Sequence, residues 1–174
     1  MAGAVSDGHT YISDVAGKGV VAIVVQKDIE VTEELKDITL IKTADTRYAL
    51  ALMSAAFFDY PAKKLKTIGI TGTKGKTTTT FMIRDILEKC NIKAGLIGTN
   101  ETIIGDEHIP SKNTTPESFL IQKYFSQMVE AGCSCVVMEV SSQALMLNRT
   151  AGILAYCGIS TSSVWFTTLS SRIW

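Results

Sequence analysis

The sequence predicts an α/β fold in which helices cover a mainly parallel sheet. Short apolar runs rich in β-branched residues alternate with segments of helical periodicity, an order typical of parallel sheets. A turn rich in Gly, Thr and Lys joins one of these runs to a helix. The 174 residues are 46% hydrophobic and 20% charged, which is the composition of a globular protein.

The first segment, residues 1–62, reads as one small α/β unit. The apolar run 19–25 predicts a buried strand. Apolar residues at helical spacing predict a helix over 44–60, which Thr43 or Asp45 could cap and the following proline would stop. Residues 60–64 are the best candidate for a linker to the next segment.

The second segment, residues 63–160, is expected to contain three strands, a hairpin and three helices. The strands are predicted at 65–70, 93–97 and 135–139, the hairpin at 102–109, and the helices at 77–90, 116–131 and 141–148. The first two helices are expected to bury Met82, Ile83, Ile86 and Leu87, and Phe119, Leu120, Tyr124 and Met128. Thr115 is the predicted N-cap of the second helix, with Pro116 in its first turn, and Gly132 follows its last turn.

A G-x-x-G-K-T turn between a predicted strand and a predicted helix is the strongest chemical signal. In such a turn the glycines allow backbone N–H groups to surround phosphate oxygens, and the helix N-terminus adds its dipole. The lysine would reach the β- and γ-phosphates, and the threonine hydroxyl would bind Mg²⁺. The predicted nucleotide-binding residues are Gly72, Thr73, Lys74, Gly75, Lys76, Thr77 and Thr78.

A phosphate-binding loop of this kind needs a carboxylate on the metal side, and a neighbouring strand usually supplies it. Glu139 closes the apolar run 135–138, where a solvated charge would otherwise be out of place. We therefore predict Thr77 and Glu139 as the metal ligands, and Lys76 and Glu139 as the catalytic residues. Ser141 follows directly and, on spacing alone, is an N-cap of the next helix rather than a ligand contact.

Composition and charge argue against several other classes. Lys plus Arg and Asp plus Glu are both 17, so the chain lacks the excess positive charge of nucleic-acid binders. No apolar run reaches the ~18 residues of a membrane span, and the N-terminus has no features of a secretory signal. His9 and His108 suggest no metal cluster. We expect reduced, mostly buried thiols of a cytoplasmic protein at the four cysteines, Cys90, Cys133, Cys135 and Cys157.

Taken together, several motifs resemble the Mur ligases of peptidoglycan synthesis. They are Thr71 to Thr79 (TGTKGKTTT), Asn113 to Glu117 (NTTPE) and Met138 to Leu145 (MEVSSQAL), supported upstream by Asp7 to Ile12 (DGHTYI) and Asp45 to Ala51 (DTRYALA). The likeness covers about residues 4–158 and is strongest to the member that adds the third amino acid of the stem peptide. A weaker alternative is the group of folylpolyglutamate and cyanophycin synthetases, which share the phosphate loop.

The resemblance implies an ATP- and Mg²⁺-dependent amide ligase that adds a diamino acid to UDP-MurNAc-L-Ala-D-Glu. Substrate contacts are implied at Asn113, Thr114, Thr115, Ser141 and Arg149. It also implies that the chain is a fragment: a trimmed N-terminal domain in 1–62, the first half of a P-loop ATPase domain in 63–160, and an aberrant tail in 161–174, without the C-terminal ligase domain.

Three departures from the family pattern support this expectation. Gln143 replaces the usual His, and the family's Asp-His pair and metal-assisting lysine have no counterpart in these residues. We expect the chain alone to be inactive in amide formation. The alternatives from other classes are a non-catalytic nucleotide-binding module and a non-functional remnant. The sequence does not distinguish lysine from diaminopimelate as the amino acid, and it does not indicate an oligomeric state.

Overall fold

A computed structural model describes residues 7–153 and 155–161 of the chain. Contacts divide the chain into two compact units, Met1–Ala49 and Leu50–Trp174. The predicted linker at 60–64 therefore lies inside the second unit. There Pro61–Lys63 forms a short 3-10 helix. Pro61 and Ala62 are apolar and buried, and Ala62 packs into the core of the unit instead of lying in an exposed linker.

The first unit is built around two short parallel strands. Strand β1 is Ala22–Val25 and pairs with β2, Thr39–Lys42, with Ala22 opposite Thr39. They are accompanied by helix α1, Ile12–Ala16, and by 3-10 turns at Gly8–Tyr11 and Glu33–Leu35. The small core consists of Ile12, Val25 and Leu35, with Ala16, Ile23, Ile29 and Ile38 packed against it.

The prediction of a buried strand over 19–25 is confirmed in the existence of a strand and is wrong in its start and its burial. The strand begins only at Ala22, and Val25 is its one buried residue, while Val21 is 82% exposed. A two-stranded sheet with a small core covers few side chains, so β-branched residues remain at the surface. Strand β2 was not predicted because Thr-Leu-Ile-Lys is too short to show a period.

Asp7 and His9 organise the start of the first unit. The Asp7 carboxylate accepts hydrogen bonds from the His9 backbone N–H at 3.1 Å and from the Lys27 ammonium at 2.5 Å. The ring of His9 accepts the Gln26 N–H at Nε2, so its proton is on Nδ1, which faces Asp7. The Lys27 ammonium and His9 hold the pKa of Asp7 well below its usual range.

Helix α2, Thr46–Phe57, is shorter than the predicted span 44–60. Its start confirms Asp45 as the cap, because Asp45 Oδ1 accepts the backbone N–H groups of Arg47 and Tyr48 at 2.8 and 3.1 Å. It ends before the proline, because Asp59 and Tyr60 adopt left-handed backbone angles, with φ of 56° and 49°.

Within its described residues, the second unit contains a six-stranded sheet with the order β6-β5-β4-β7-β3-β8. The strands are β3 Lys66–Thr71, β4 Ala94–Ile97, β5 Glu101–Ile104, β6 Glu107–Pro110, β7 Cys135–Glu139 and β8 Ala155–Ser160. Strands β4, β7, β3 and β8 are parallel, and the β5–β6 hairpin continues the sheet in antiparallel sense. All residues of β4 and β7 are buried, as expected for central parallel strands. The predicted parallel sheet is confirmed.

The helices of this unit are α3 Lys76–Lys89, α4 Ser118–Glu130 and α5 Ser142–Met146. The predicted inner face of α3 is wrong in part, since Met82 and Ile86 are 58% and 59% exposed. In α4 the predicted inner face is confirmed at Met128 and is wrong at Phe119, which is 45% exposed. Ile121 and Phe125, which were not predicted, are fully buried. Apolar residues occur at helical spacing on both the predicted face and the buried face of α4, so the sequence alone does not show which face packs against the core.

Candidate nucleotide and metal site

The predicted phosphate loop lies between the end of β3 and the start of α3. Gly72 and Gly75 adopt φ angles of 134° and 79°, which side-chain-bearing residues rarely adopt, so both glycines are required by the turn. Lys76 is the first residue of α3, and its ammonium donates a hydrogen bond to the Gly72 carbonyl at 2.8 Å. The cationic group therefore lies across the loop, whose Thr73, Lys74 and Gly75 are exposed.

Glu139 is the charged group of the site, and it is fully buried at the end of β7. Its Oε2 accepts the hydroxyl of Thr77 at 3.1 Å and that of Thr99 at 3.0 Å, and its Oε1 accepts the backbone N–H of Thr99 at 2.9 Å. The predicted pair is thus brought together, with Thr77 in the first turn of α3 and Glu139 at the end of β7.

A glycine creates the space for this carboxylate. A Cβ built on Gly98 would lie 2.7 Å from Oε1 of Glu139 and 3.4 Å from Cδ2 of Leu96. Any side chain at this position would push against the carboxylate, so the backbone after β4 must approach it without a Cβ. Gly98 and Thr99 were missed by sequence reasoning, because neither belongs to a motif that names its chemistry.

The donor set of this site suits Mg²⁺. Mg²⁺ prefers hard oxygen ligands and commonly uses one or two carboxylates together with substrate phosphates and water. Glu139 offers a carboxylate and Thr77 a hydroxyl beside the loop. Within 7–153 and 155–161 no group of three or more His, Cys, Asp and Glu side chains is placed to hold a metal ion.

A second cluster links the 113–117 segment to the end of β7. The Thr115 hydroxyl donates to the Glu139 carbonyl at 2.9 Å and accepts the Ser141 N–H at 3.0 Å. The prediction that Thr115 caps α4 is therefore wrong: the helix begins at Ser118 after Glu117, and Thr115 is used to join two segments. Ser141 is confirmed as the cap of α5, since its side chain accepts the Ala144 N–H.

Arg149 lies in the same cluster. Its guanidinium donates to the Thr115 carbonyl at 2.9 Å and pairs with the Glu117 carboxylate at 2.5 Å. The Arg149 side chain is 15% exposed, and its buried Nε has no hydrogen-bond partner. Thr114 is connected to the metal side, because its hydroxyl lies 3.1 Å from that of Thr99. Asn113 is exposed in the same segment.

Thr161 contacts the phosphate loop, although it was predicted to begin an aberrant tail. Its backbone N–H donates to the Thr71 carbonyl at 2.9 Å, and its hydroxyl donates to the Lys74 carbonyl at 2.6 Å. The contact arises because β8, which was not predicted, pairs in parallel with β3 and delivers Thr161 to the loop. The rest of that predicted tail, 162–174, lies outside the described residues.

The remaining nucleophilic and metal-binding side chains are separate from this site. His108 pairs with Glu101 at 2.7 Å on the β5–β6 hairpin. All four cysteines are free, but only Cys133 and Cys135 are buried; Cys90 and Cys157 are exposed, against the expectation of mostly buried thiols. Burial raises the pKa of the Cys135 thiol. No described helix is long and apolar enough to cross a membrane.

The strand, the glycine-rich loop and the helix that follows it have the arrangement of a P-loop, and comparison with known families gives a narrower assignment. Residues 70–170 match the Mur ligase middle domain. This match covers more than half of the 174 residues. The chain therefore belongs to the Mur ligase family, a family of ATP-dependent ligases.

Two curated relatives illustrate the similarity. The chain is 49% identical over 156 residues to a UDP-N-acetylmuramoyl-L-alanyl-D-glutamate--2,6-diaminopimelate ligase of Clostridium perfringens (strain 13 / Type A), covering 90% of this chain and 32% of the relative. It is 41% identical over 151 residues to the ligase of the same name from Cytophaga hutchinsonii, covering 87% and 31%. The chain thus spans about a third of the length of these relatives.

A solved structure of a UDP-N-acetylmuramoyl-L-alanyl-D-glutamate--2,6-diaminopimelate ligase has the same fold. The TM-score is 0.69 at 19% sequence identity, over 94% of this chain and 33% of the solved chain. The predicted resemblance to Mur ligases is confirmed by the middle-domain match and the curated relatives, and this structure agrees in fold.

Proposed function

We propose that the second unit is the nucleotide-binding part of a Mur ligase that uses ATP to activate a carboxylate. The observation that supports this most strongly is the 3.1 Å contact between the Thr77 hydroxyl and Glu139. That contact brings a residue of the phosphate loop and a buried carboxylate to one edge of the sheet, as phosphoryl transfer from a metal-bound nucleotide requires.

Each residue of the loop has a distinct task in this proposal. The backbone N–H groups around Gly72 to Gly75 and the N-terminus of α3 bind phosphate oxygens. Lys76 exchanges its bond to the Gly72 carbonyl for the terminal phosphates, where a charge-assisted contact is stronger than a neutral one. Thr77 and Glu139 would hold Mg²⁺, which supplies neutralisation of phosphate charge when bound.

The acceptor substrate is proposed from the relatives. Both are named for a UDP-MurNAc-dipeptide and 2,6-diaminopimelate, so we assign this chain to the ligation of that amino acid to UDP-MurNAc-L-Ala-D-Glu. Arg149 supports the assignment chemically, because a guanidinium suits phosphate or carboxylate groups. In this proposal Asn113, Thr114, Thr115 and Ser141 contact the same substrate.

The 174 residues are proposed to bind the nucleotide without forming the amide by themselves. In such ligations the acceptor carboxylate and the amine must be fixed against the activated phosphate, and positioning can supply ~7–11 kcal/mol of the barrier. Purified chain incubated with UDP-MurNAc-dipeptide, diaminopimelate and Mg²⁺-ATP should release no tripeptide product. Turnover of ordinary enzymes, about 1–1000 per second, would contradict this part of the proposal.

Nucleotide binding is tested by titration calorimetry with Mg²⁺-ATP. Lys76→Ala removes the ammonium that faces the phosphates and should abolish measurable binding. Lys123→Ala is the matched control, because Lys123 is an exposed residue of α4. Equal affinity in the wild type and in Lys76→Ala would overturn the proposal, and so would equal losses in both variants.

A further inference from the structure

We propose that Thr99 is a positioning residue that sets the orientation of the Glu139 carboxylate toward a divalent cation. The inference rests on the proposed function, because it assumes that Glu139 holds the cation. It starts from the fact that one residue contacts both oxygens of the carboxylate: the Thr99 N–H bonds Oε1 at 2.9 Å, and its hydroxyl bonds Oε2 at 3.0 Å.

Two simultaneous contacts from one residue fix the rotation of a carboxylate plane better than one contact does. Thr99 can make both because it directly follows Gly98, whose missing Cβ lets the backbone after β4 approach Oε1. Glu139 is the last residue of β7, and β7 is the parallel neighbour of β4. The backbone that follows β4 therefore lies beside the Glu139 carboxylate. The Glu139 residue is fully buried among these partners.

The hydroxyl network also has a direction. The Thr99 hydroxyl has a single proton, which the bond to Oε2 uses, so the Thr114 hydroxyl is the donor in the 3.1 Å contact between the two threonines. The Thr77 hydroxyl donates to the same Oε2 at 3.1 Å. Thr77 is itself a proposed metal ligand, whereas Thr99 would orient Glu139 without touching the metal; residues of this second kind commonly account for about 10–100-fold in metal affinity.

Positioning should affect some cations more than others. Mg²⁺ requires near-ideal octahedral geometry, whereas Ca²⁺ accepts flexible arrangements of more oxygens. A carboxylate released from Thr99 should therefore lose Mg²⁺ more than Ca²⁺. A residue that only stabilises the fold would change neither this preference nor the gain in nucleotide affinity that the metal provides.

The test compares ATP titrations of the whole chain without metal, with Mg²⁺ and with Ca²⁺. Thr99→Val removes the hydroxyl and keeps the backbone N–H, while Thr99→Ser restores the hydroxyl. Thr67→Val is the matched control, since Thr67 is a buried threonine at the other end of β3 whose hydroxyl has no hydrogen-bond partner. Thermal unfolding of each variant reports on folding separately.

We expect Thr99→Val to reduce the Mg²⁺-dependent gain in ATP affinity about tenfold or more and to shift the preference toward Ca²⁺. Thr99→Ser and Thr67→Val should behave like the wild type, and ATP affinity without metal should be unchanged in all. If Glu139→Gln loses the Mg²⁺-dependent gain in ATP affinity but Thr99→Val keeps it, the role of Thr99 is overturned while that of Glu139 stands. Absence of any metal effect in the wild type would overturn the metal site itself. Should Thr99→Val unfold, failure of Thr99→Ser to retain the wild-type gain would equally contradict the proposal.

Discussion

Two regions of the second unit are held in place by different means: the cluster around Arg149, and the carboxyl ends of the strands where Glu139 lies beside the phosphate loop, here called the nucleotide edge. At the nucleotide edge, Glu139 is completely buried and is fixed by a backbone N–H and two threonine hydroxyls from the ends of neighbouring elements. In the other cluster, the Arg149 side chain reaches back to the Thr115 carbonyl and to Glu117, whose own side chain is 51% exposed.

This difference teaches where the two sites are rigid. The nucleotide edge depends on main-chain positions that the sheet determines, so we expect it to be formed before any ligand binds. The Arg149 cluster depends on one long side chain, which can exchange an exposed carboxylate for a substrate anion at small cost. The predictions below separate the two kinds of support, beginning with the largest effect.

Gly98→Ala should disturb the nucleotide edge most. The new Cβ would lie 2.7 Å from Oε1 of Glu139, so the carboxylate or the strand must move. We expect a loss of about 1–3 kcal/mol in the free energy of unfolding, the usual range for overpacking, together with loss of the Mg²⁺ effect on ATP affinity. Urea denaturation and calorimetry measure the two quantities.

Gly69→Ala provides the control for that substitution. Its Cβ would meet only Cγ2 of Val140, at an ordinary 3.5 Å. If Gly69→Ala destabilises the protein as much as Gly98→Ala does, the loss of a sheet-proximal glycine in general, rather than contact with the carboxylate, determines the effect.

Arg149→Ala should have the next largest effect, on stability alone. It removes the hydrogen bond to the Thr115 carbonyl and leaves Glu117 without its guanidinium partner. Because Arg149 is mostly buried, we expect a loss of about 1–3 kcal/mol in urea denaturation, with unchanged ATP affinity. Arg149→Lys should recover only part of the loss. The lysine ammonium keeps the positive charge but does not reproduce the planar set of donors of the guanidinium. A lower ATP affinity in Arg149→Ala would show that the two regions are not independent.

The structure brings the predicted metal ligands Thr77 and Glu139 together, and the sequence could single them out for a physical reason. The turn between β3 and α3 is local, and its glycines, Lys76 and Thr77 carry their chemistry in a short motif. Glu139 could be predicted because a charge after four buried apolar residues requires a partner. Gly98 and Thr99 could not, since their importance depends on the pairing of β4 with β7, which brings the segment after β4 beside Glu139.

Glu117→Gln should change stability by less than about 1 kcal/mol, because the pair with Arg149 involves an exposed carboxylate. The glutamine can still accept a hydrogen bond, so only the charge contribution is lost. The difference from the wild type in urea denaturation should shrink further at high salt. A loss of stability above about 1 kcal/mol that does not depend on salt would mean that Arg149 and Glu117 behave as a buried ion pair.

Thr67→Val should also give a small effect, but in the opposite direction. The Thr67 side chain is buried and its hydroxyl has no hydrogen-bond partner, so replacing it by a methyl group removes an unfavourable burial. We expect a gain of up to about 1 kcal/mol in the free energy of unfolding. A loss instead would indicate that the hydroxyl makes a stabilising contact in solution.

The helix faces and the division of the chain were predicted less well, again for physical reasons. Ile121 and Phe119 both fit a helical period, and only packing in the folded unit selects Ile121 for the core. Thr115 has the residue type and position of a cap, but the Glu139 carbonyl and the Ser141 N–H compete successfully for its hydroxyl. Ala62 follows a proline and precedes two lysines, yet it is buried in the core of the second unit.

The central claim is that Glu139 and the phosphate loop form one Mg²⁺-nucleotide site, and Glu139→Gln tests it most directly. Glutamine keeps the shape and can still accept the Thr99 N–H, but it removes the charge that a hard cation requires. In calorimetric titrations with ATP, the variant should bind the metal-free nucleotide as the wild type does and lose most of the affinity gained with Mg²⁺. An unchanged gain with Mg²⁺ would contradict the account and leave Glu139 as a buried structural carboxylate.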